Sequence, residues 1–403
     1  MKMPATHKIA LLFNANKIYD REVISGIASY LKSTRAAWDL FMEEDFRCRL
    51  NGIDTWVGDG IIADFDDPQI CEALADIKIP VVAVGGSYED VRKYPAGVPY
   101  VATDNEALIR MAFDHLIEGG LRNFALFSLP ESGENRWAQE RESAFCQLMQ
   151  KDRLWAEIYR GHATAAPTWV DAEQNLIQWV QRLPKPIGII AVTDARARQL
   201  LQACSIAGIP VPEQVAVLGI DNDPLTRVLT RIPLSSVIQG AVEIGRTAAQ
   251  LLHQMLSGGR VRDSRVLVAP VGINVQASSS HQSLSHPSVM RGMHFIRQYA
   301  CQGIKTEQVA DYVGVSRSSL DAHFRRELGH SVHTEILKYK LKAATKILAN
   351  ENTQIADVAV SCGFTTVQYL NAVFRRELDC TPREYRDKAS VSRESSQFGA
   401  LAA

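Results

Sequence analysis

Two acidic clusters, Glu43-Glu44-Asp45 and Asp64-Phe65-Asp66-Asp67, hold residue types that can do acid–base chemistry. Paired carboxylates work as acid and base when their surroundings separate their pKa values. The same residue types also serve as strand ends and helix caps, because a carboxylate accepts from the free N–H groups of a first helical turn. Asn14, Asp45, Asp64, Asp194 and Asp221 form a second set, one polar residue at or near the end of each of several short apolar runs. Near the C-terminus a basic phrase, FRREL, occurs twice, at 324–328 and at 374–378. Arginines at such spacing suit phosphate contacts or a solvated helix face.

Catalysis needs more than carboxylates. The chain has no GxGxxG after a strand, no P-loop, no HExxH and no GxSxG. Seven cysteines, at 48, 71, 146, 204, 301, 362 and 380, form no CxxC pair, so neither a disulfide framework nor a zinc site is expected. The reading is a non-enzyme that needs no cofactor or metal.

The elements that must position these residues change character along the chain. KIALLFN (8–14), DLFMEED (39–45), GIIADF (60–65), VVAVGGS (81–87), NFALFSL (123–129), GIIAVTD (188–194) and VAVLGID (215–221) read as strands. Helical spacing fills 20–34, 104–118, 136–151, 170–182, 195–207 and 240–257. Short apolar strands alternating with helices predict a parallel sheet covered on both faces. Ligands of such sheets bind outside the carboxyl ends of the strands, where the polar residues of the second set fall. QASSSHQSLSHPS (276–288) is rich in Ser and His and predicts a linker over 276–287. Beyond it only helices are expected, over 288–388, and then a disordered tail, 389–403.

Formal net charge is −1, but residues 286–388 carry 15 Lys and Arg against 11 Asp and Glu, so the rest of the chain is acidic by five charges. A basic segment beside an acidic body suggests a nucleic-acid module attached to another domain. No apolar run approaches the roughly 20 residues of a membrane span. MKMPATHKIALLFNAN lacks the layout of a signal peptide, so a cytoplasmic protein is expected.

The repeated phrase belongs to a longer one. VADYVGVSRSSLDAHFRREL (309–328) parallels VAVSCGFTTVQYLNAVFRREL (358–378). Each has an inner alanine (Ala310, Ala359), a glycine at the bend (Gly314, Gly363), a capping hydroxyl (Ser316, Thr365) and two apolar anchors (Leu320 and Phe324; Leu370 and Phe374). These are the parts of a helix–turn–helix. With CGFTTVQYLNAVFRRELDCTPREYR at its end, the segment resembles the DNA-binding domain of the AraC family over about 288–387. It departs from that pattern at Lys340, usually Arg, and at Asp379, usually Gly. The resemblance implies two recognition helices in successive major-groove segments. Their outward residues are Arg317, Ser318, Asp321 and Ala322, then Val367, Gln368, Asn371 and Ala372. Gln368 and Asn371 suit adenine, and Asp321 could accept from cytosine N4. Arg325, Arg326, Arg375 and Arg376 suit phosphates.

YVATDNEALIRMAFDHLIEGGLRNFALFS, RESAF (141–145), IIAVTDARARQLL (189–201), VAVLGIDN (215–222) and LSSVIQ (234–239) together resemble the two-lobed sugar-binding domain of LacI-type regulators and periplasmic binding proteins. That resemblance places Arg141, Asp221 and Gln239 on sugar hydroxyls. Thr193 stands where the family often has Asn, which moves the expectation to Asp194. Carboxylates and guanidinium groups are strong partners for hydroxyls, and an aromatic side chain suits a sugar's apolar face. Asn14, Asp66, Arg141 and Asp221 supply the first kind; Phe65, Tyr88 or Trp137 the second.

The fold class expected is therefore an α/β two-lobed sensor, 1–275, followed by an all-α double helix–turn–helix domain. LLFNANKIYDREVISGIASYL, EEDFRCRL, GDGIIADFDD, VGGSY and AVTDARAR extend the likeness to regulators of xylose catabolism that join these two parts in this order. It implies D-xylose as effector, activation of transcription, a homodimer on paired DNA half-sites and contact with RNA polymerase. A regulator of the same build for another pentose or hexose is the alternative.

Overall fold

The computed structural model describes residues 6–43, 45, 48, 50–132, 135–162, 165–259, 261, 264–280, 286–350 and 353–388, without the side chains of residues 227 and 350. The expected tail, 389–403, and residues 281–285 of the expected linker lie outside them. The chain divides into two compact units, Met1–His281 and Gln282–Ala403.

The first unit holds two six-stranded sheets. One has the order β11-β5-β4-β3-β1-β2, built from β1 (His7–Leu12), β2 (Trp38–Phe41), β3 (Gly60–Asp64), β4 (Val81–Gly86), β5 (Tyr100–Thr103) and β11 (Arg265–Val268). The other has the order β12-β10-β9-β8-β6-β7, from β6 (Asn123–Phe127), β7 (Trp155–Tyr159), β8 (Ile187–Ala191), β9 (Val215–Ile220), β10 (Ser235–Ile238) and β12 (Gly272–Asn274). Every pairing is parallel except β12 with β10. β3, β4, β8 and β9 are buried along their whole length, which is why they read as unbroken apolar runs. The chain passes between the sheets three times: after β5, after β10 and between β11 and β12.

Among the described residues eight α-helices flank the sheets: α1 (Ile18–Ser33), α2 (Pro68–Ala73), α3 (Asn105–Glu118), α4 (Arg136–Asp152), α5 (Trp169–Arg182), α6 (Asp194–Ile206), α7 (Pro224–Val228) and α8 (Ala241–Leu256). Several of their starts carry side-chain caps. Asp104 accepts from Ala107 N–H at 2.9 Å, and Thr193 accepts from Arg196 N–H at 3.2 Å. α8 follows the second crossing yet packs on α1 in the first lobe. Two glycines allow that approach. A Cβ on Gly26 would lie 2.0 Å from the carbonyl oxygen of Val242, and one on Gly245 would lie 1.9 Å from that of Val23.

Residues 276–280, expected to open the linker, instead finish the second lobe. Ser278 is fully buried; its carbonyl accepts from Val217 N–H at 2.7 Å and its hydroxyl from Ser235 N–H at 2.9 Å. Small polar residues can be buried when each polar atom finds a partner, and composition alone does not show that.

The second unit is helical: α9 (Pro287–Tyr299), α10 (Thr306–Val313), α11 (Arg317–Leu328), α12 (Val332–Asn350), α13 (Ile355–Ser361), α14 (Val367–Leu378) and a further helical segment, 382–388. One core gathers Val289, Met293, Val309, Leu320 and Phe324; another gathers Leu348, Val358, Leu370 and Phe374. Gly314 and Gly363 take positive φ at the bends, +81° and +70°. Ser316 caps α11. Thr366, not Thr365, caps α14, accepting from Tyr369 N–H at 3.1 Å, because the second copy is one residue longer after the turn. Lys340 on the long α12 donates to the carbonyl of Gly363 at 2.7 Å. Asp379 ends α14 at φ +51°, where glycine would meet no steric cost.

Candidate functional site

A cavity of about 430 Å³ lies among residues that follow the strands of both sheets. That volume suits a small molecule. The first lobe lines it with Lys17, Tyr19 and Asp20 at the head of α1, Asp64 at the end of β3, Asp66 just after it, Gly86 and Thr103. The second lobe adds Asn135, Trp137 and Arg141 of the α4 region, Thr193 and Asp194 after β8, Asp221 and Asp223 after β9, and Gln239 after β10.

Arg141 is 3% exposed and held on every side. It donates from Nε to Asn105 Oδ1 at 3.0 Å, from Nη1 to Val192 O at 2.6 Å and from Nη2 to Gln239 Oε1 at 2.8 Å. Its Cζ lies 4.6 Å from the centroid of the Trp137 ring. Gln239 passes the chain on by donating from Nε2 to Asp221 Oδ1. Asp221 sits at φ +118°, a backbone state rare for a residue with a side chain and found where the surroundings enforce it. Asp194 accepts from Ser236 Oγ at 2.6 Å and from Asp223 N–H at 2.7 Å.

Four of the carboxyls, Asp20, Asp66, Asp194 and Asp221, are held above their ordinary range. Burial raises Asp20 to about 8, and the negative charge of Asp64 adds to it. Burial and Asp221 raise Asp194 to about 8. Burial raises Asp221 to about 7 against the pull of Arg141 and Gln239. Burial and Asp64 raise Asp66 to about 6, while Arg136 and the N–H of Gly86 oppose the rise. Burial also works against the Lys17 ammonium, but Asp64, 3.1 Å away, and Asp20 outweigh it and lift its pKa. Asp20 keeps one oxygen, Oδ1, buried without a hydrogen-bond partner. Such a lining offers carboxyl groups, a fixed guanidinium and the aromatic side chains of Tyr19 and Trp137 to a neutral, hydroxyl-rich molecule.

Of the residues expected to meet a sugar, the fold brings Asp66, Arg141, Asp194, Asp221 and Gln239 onto the lining of one cavity. Asn14 is not on it. Its side chain accepts from Asn16 N–H at 3.0 Å, and its N–H donates to Asp20 Oδ2 at 2.6 Å, so it shapes the turn that delivers Asp20. Trp137 lines the cavity, whereas Phe65 is buried in the first lobe's core and Tyr88 lies under Arg136. Lys17, Tyr19, Asp20, Thr103 and Asn135 escaped the sequence reading. A charged pair, Lys17 and Asp20, beside the first turn of a helix that follows a strand end was the available signal.

In the helical unit, Arg317, Ser318, Arg325, Gln368 and Arg375 are exposed on α11 and α14. Arg317 pairs with Glu307 at 2.5 Å. Asp321 Oδ1 accepts from Val332 N–H at 2.9 Å at the start of α12. Asn371 donates to Val367 O at 3.0 Å, one turn back on its own helix.

Family models match three stretches: the XylR N-terminal domain over residues 8–106, a periplasmic binding protein-like domain over 113–279 and a helix-turn-helix domain over 309–388. The xylose operon regulatory protein of Escherichia coli (strain K12) is 49% identical over 381 residues, 94% of this chain and 97% of that protein. The chain belongs to the xylose operon regulatory protein family. A Haemophilus influenzae member is 44% identical over 380 residues, 94% of this chain and 98% of that protein. The solved structure of a xylose-binding transcription activator superposes with a TM-score of 0.87 at 48% identity, covering 95% of this chain and 98% of that one. Both domains of the family are thus present here, the two-lobed sensor and the helix–turn–helix unit.

Proposed function

We propose that this chain is a transcription activator of xylose catabolism and transport genes, switched by D-xylose in the cavity between its two lobes. The observation that carries the reading is the two-sided wall, with Asp20, Asp64 and Asp66 from one lobe facing Arg141, Asp194, Asp221 and Gln239 from the other. A sugar that touches both sides binds the closed arrangement better than the open one, and only that difference can shift the equilibrium. Closure then changes how a homodimer presents its four helix–turn–helix units to paired half-sites, with RNA polymerase as the further partner. Residues 288–388 form the DNA-binding part, with Arg317, Ser318, Gln368 and Asn371 toward bases and Arg325 and Arg375 toward phosphates. Asp66, Arg141, Asp194, Asp221 and Gln239 are the sugar ligands, and Asp20 joins them. Among the described residues no helix is long and apolar enough to cross a membrane, in keeping with work at cytoplasmic DNA.

Calorimetric titration of the full chain with a panel of pentoses and hexoses tests this. D-xylose should bind tightest and should change the affinity for promoter DNA. A hexose or another pentose binding tighter would replace the effector, and no sugar binding at all would remove the sensor reading.

A further inference from the structure

Arg136 stands just behind the cavity wall, between Asn135 and Trp137, which line it. It rides on α4 of the second lobe, yet its partners belong to the first. Nη2 donates to Asp66 Oδ1 and, at 3.0 Å, to Gly86 O; Nη1 donates to Ser87 O at 2.9 Å. Its Cζ lies 3.7 Å from the centroid of the Tyr88 ring. Two lesser contacts run alongside: Glu89 N–H donates to Glu140 Oε2 at 2.8 Å, and Gln147 Nε2 donates to Glu89 Oε1 at 2.9 Å. A planar guanidinium stacked on an aromatic ring and hydrogen-bonded at both ends has little freedom left.

We propose that Arg136 is a positioning residue for the sugar, keeping Asp66 ionised and aimed as an acceptor without touching the ligand itself. This rests on the sugar reading of the cavity. Its site has few other routes to that end. The charged and titratable groups around Asp66 are Asp64 on β3, Lys17 before α1, Tyr19 and Asp20 on α1, Cys71 on α2, Tyr88 after β4, Tyr100 on β5 and Arg141 on α4. Burial and Asp64 push the Asp66 carboxyl toward its neutral form, and Arg136 is the largest opposing influence, ahead of Gly86 N–H and Lys17. Without the guanidinium the carboxyl takes up its proton at higher pH. A neutral carboxyl is a weaker acceptor for a sugar hydroxyl than a carboxylate, so the acid fall-off in affinity moves to higher pH as well.

The test is D-xylose affinity of the full chain by calorimetry from pH 5 to 9, for the wild type, Arg136→Gln, Arg136→Lys and Asp66→Asn. Arg136→Gln keeps donors for Gly86 and Ser87 but loses the charge. It should move the acid fall-off upward by about 1–3 pH units, the usual effect of a charge at this range. Arg136→Lys should return the fall-off close to wild type, and Asp66→Asn should lack the component that Arg136→Gln moves. A Gln profile lying on the wild-type one, or Gln and Lys shifting equally, overturns the proposal. Should Arg136→Gln not fold, Asp66→Asn decides, and an acid fall-off unchanged from wild type overturns it. Wild-type chain that takes up no D-xylose at any pH overturns the sugar reading and this proposal together; wild-type binding with an unmoved profile overturns this proposal alone.

Discussion

Arg141 and Gln239 are joined by a 2.8 Å hydrogen bond, and Gln239 in turn holds Asp221. Arg141 belongs to α4, whereas Gln239 stands where the chain leaves the second lobe, just before Gly240 and α8. A ligand that pulls on either end of this chain pulls on a crossing between the lobes. Asp221→Ala removes the terminal carboxylate. Sugar affinity should drop roughly 10–100-fold, the usual loss for one charge-assisted hydrogen bond. DNA affinity without sugar should stay at its wild-type value. Unchanged calorimetric affinity would take Asp221 out of the ligand set.

The raised carboxyls give the sugar-free sensor a pH dependence of definite sign. Asp20, Asp194 and Asp221 bind protons more tightly folded than unfolded, so their contribution to stability is greatest at low pH and declines as pH climbs toward their values of about 7 to 8. A sugar whose hydroxyls donate to these groups favours their ionised forms. D-xylose should therefore bind more tightly at pH 8 than at pH 6, with protons released to buffer. Titration in buffers of different ionisation enthalpy measures that release, and proton uptake would contradict the assignment.

Gly26→Ala places a methyl group where Val242 already has its carbonyl, 2.0 Å away. Overpacking of this kind typically costs about 1–3 kcal/mol. Thermal melting of the first unit should move down accordingly, and an unchanged melt would mean that α1 and α8 separate without cost.

Base and phosphate contacts differ in their signature on DNA. Gln368→Ala should weaken binding by about 1–3 kcal/mol at one base position of the operator. Arg375→Ala should weaken all sequences alike and flatten the salt dependence by about one ion. Footprint titrations against single-base operator variants separate the two outcomes, and a uniform loss for Gln368→Ala would make it a backbone contact.

Asp379 occupies a left-handed position at the end of α14. Asp379→Gly should relieve that strain and stabilise the helical unit by about 0.5–1 kcal/mol. Chemical denaturation measures it; a loss of stability would show that the aspartate holds the turn in some other way.

Local patterns carried much of this into the sequence. Asp194 and Asp221 were legible because they close apolar runs, Asp66 because it stands in an acidic cluster just past one, and Phe324 and Phe374 because the phrase around them repeats. Non-local placement was not legible. Asn14 closes a run as well as Asp64 does, yet the turn after β1 uses its side chain, and no spacing rule reports that. Arg136 is next to a wall residue in sequence but works through Asp66, seventy positions away. The one-residue difference between the helix–turn–helix copies moved a cap from Thr365 to Thr366, which aligning the two phrases by letter could not decide. The buried role of Ser278 depends on Val217 and Ser235, distant partners that a Ser-rich stretch does not advertise.

The first sheet is completed by β11, Arg265–Val268, and its covering helix α8 comes only after the second lobe has been threaded. On the ribosome the N-terminal half of the sensor must therefore wait. α1 lacks the whole of α8 until Leu256 has been translated, and β5 lacks its outer neighbour until Val268 has. The last strand of each sheet, β11 and then β12, thus comes off the ribosome late, shortly before the helices of the second unit.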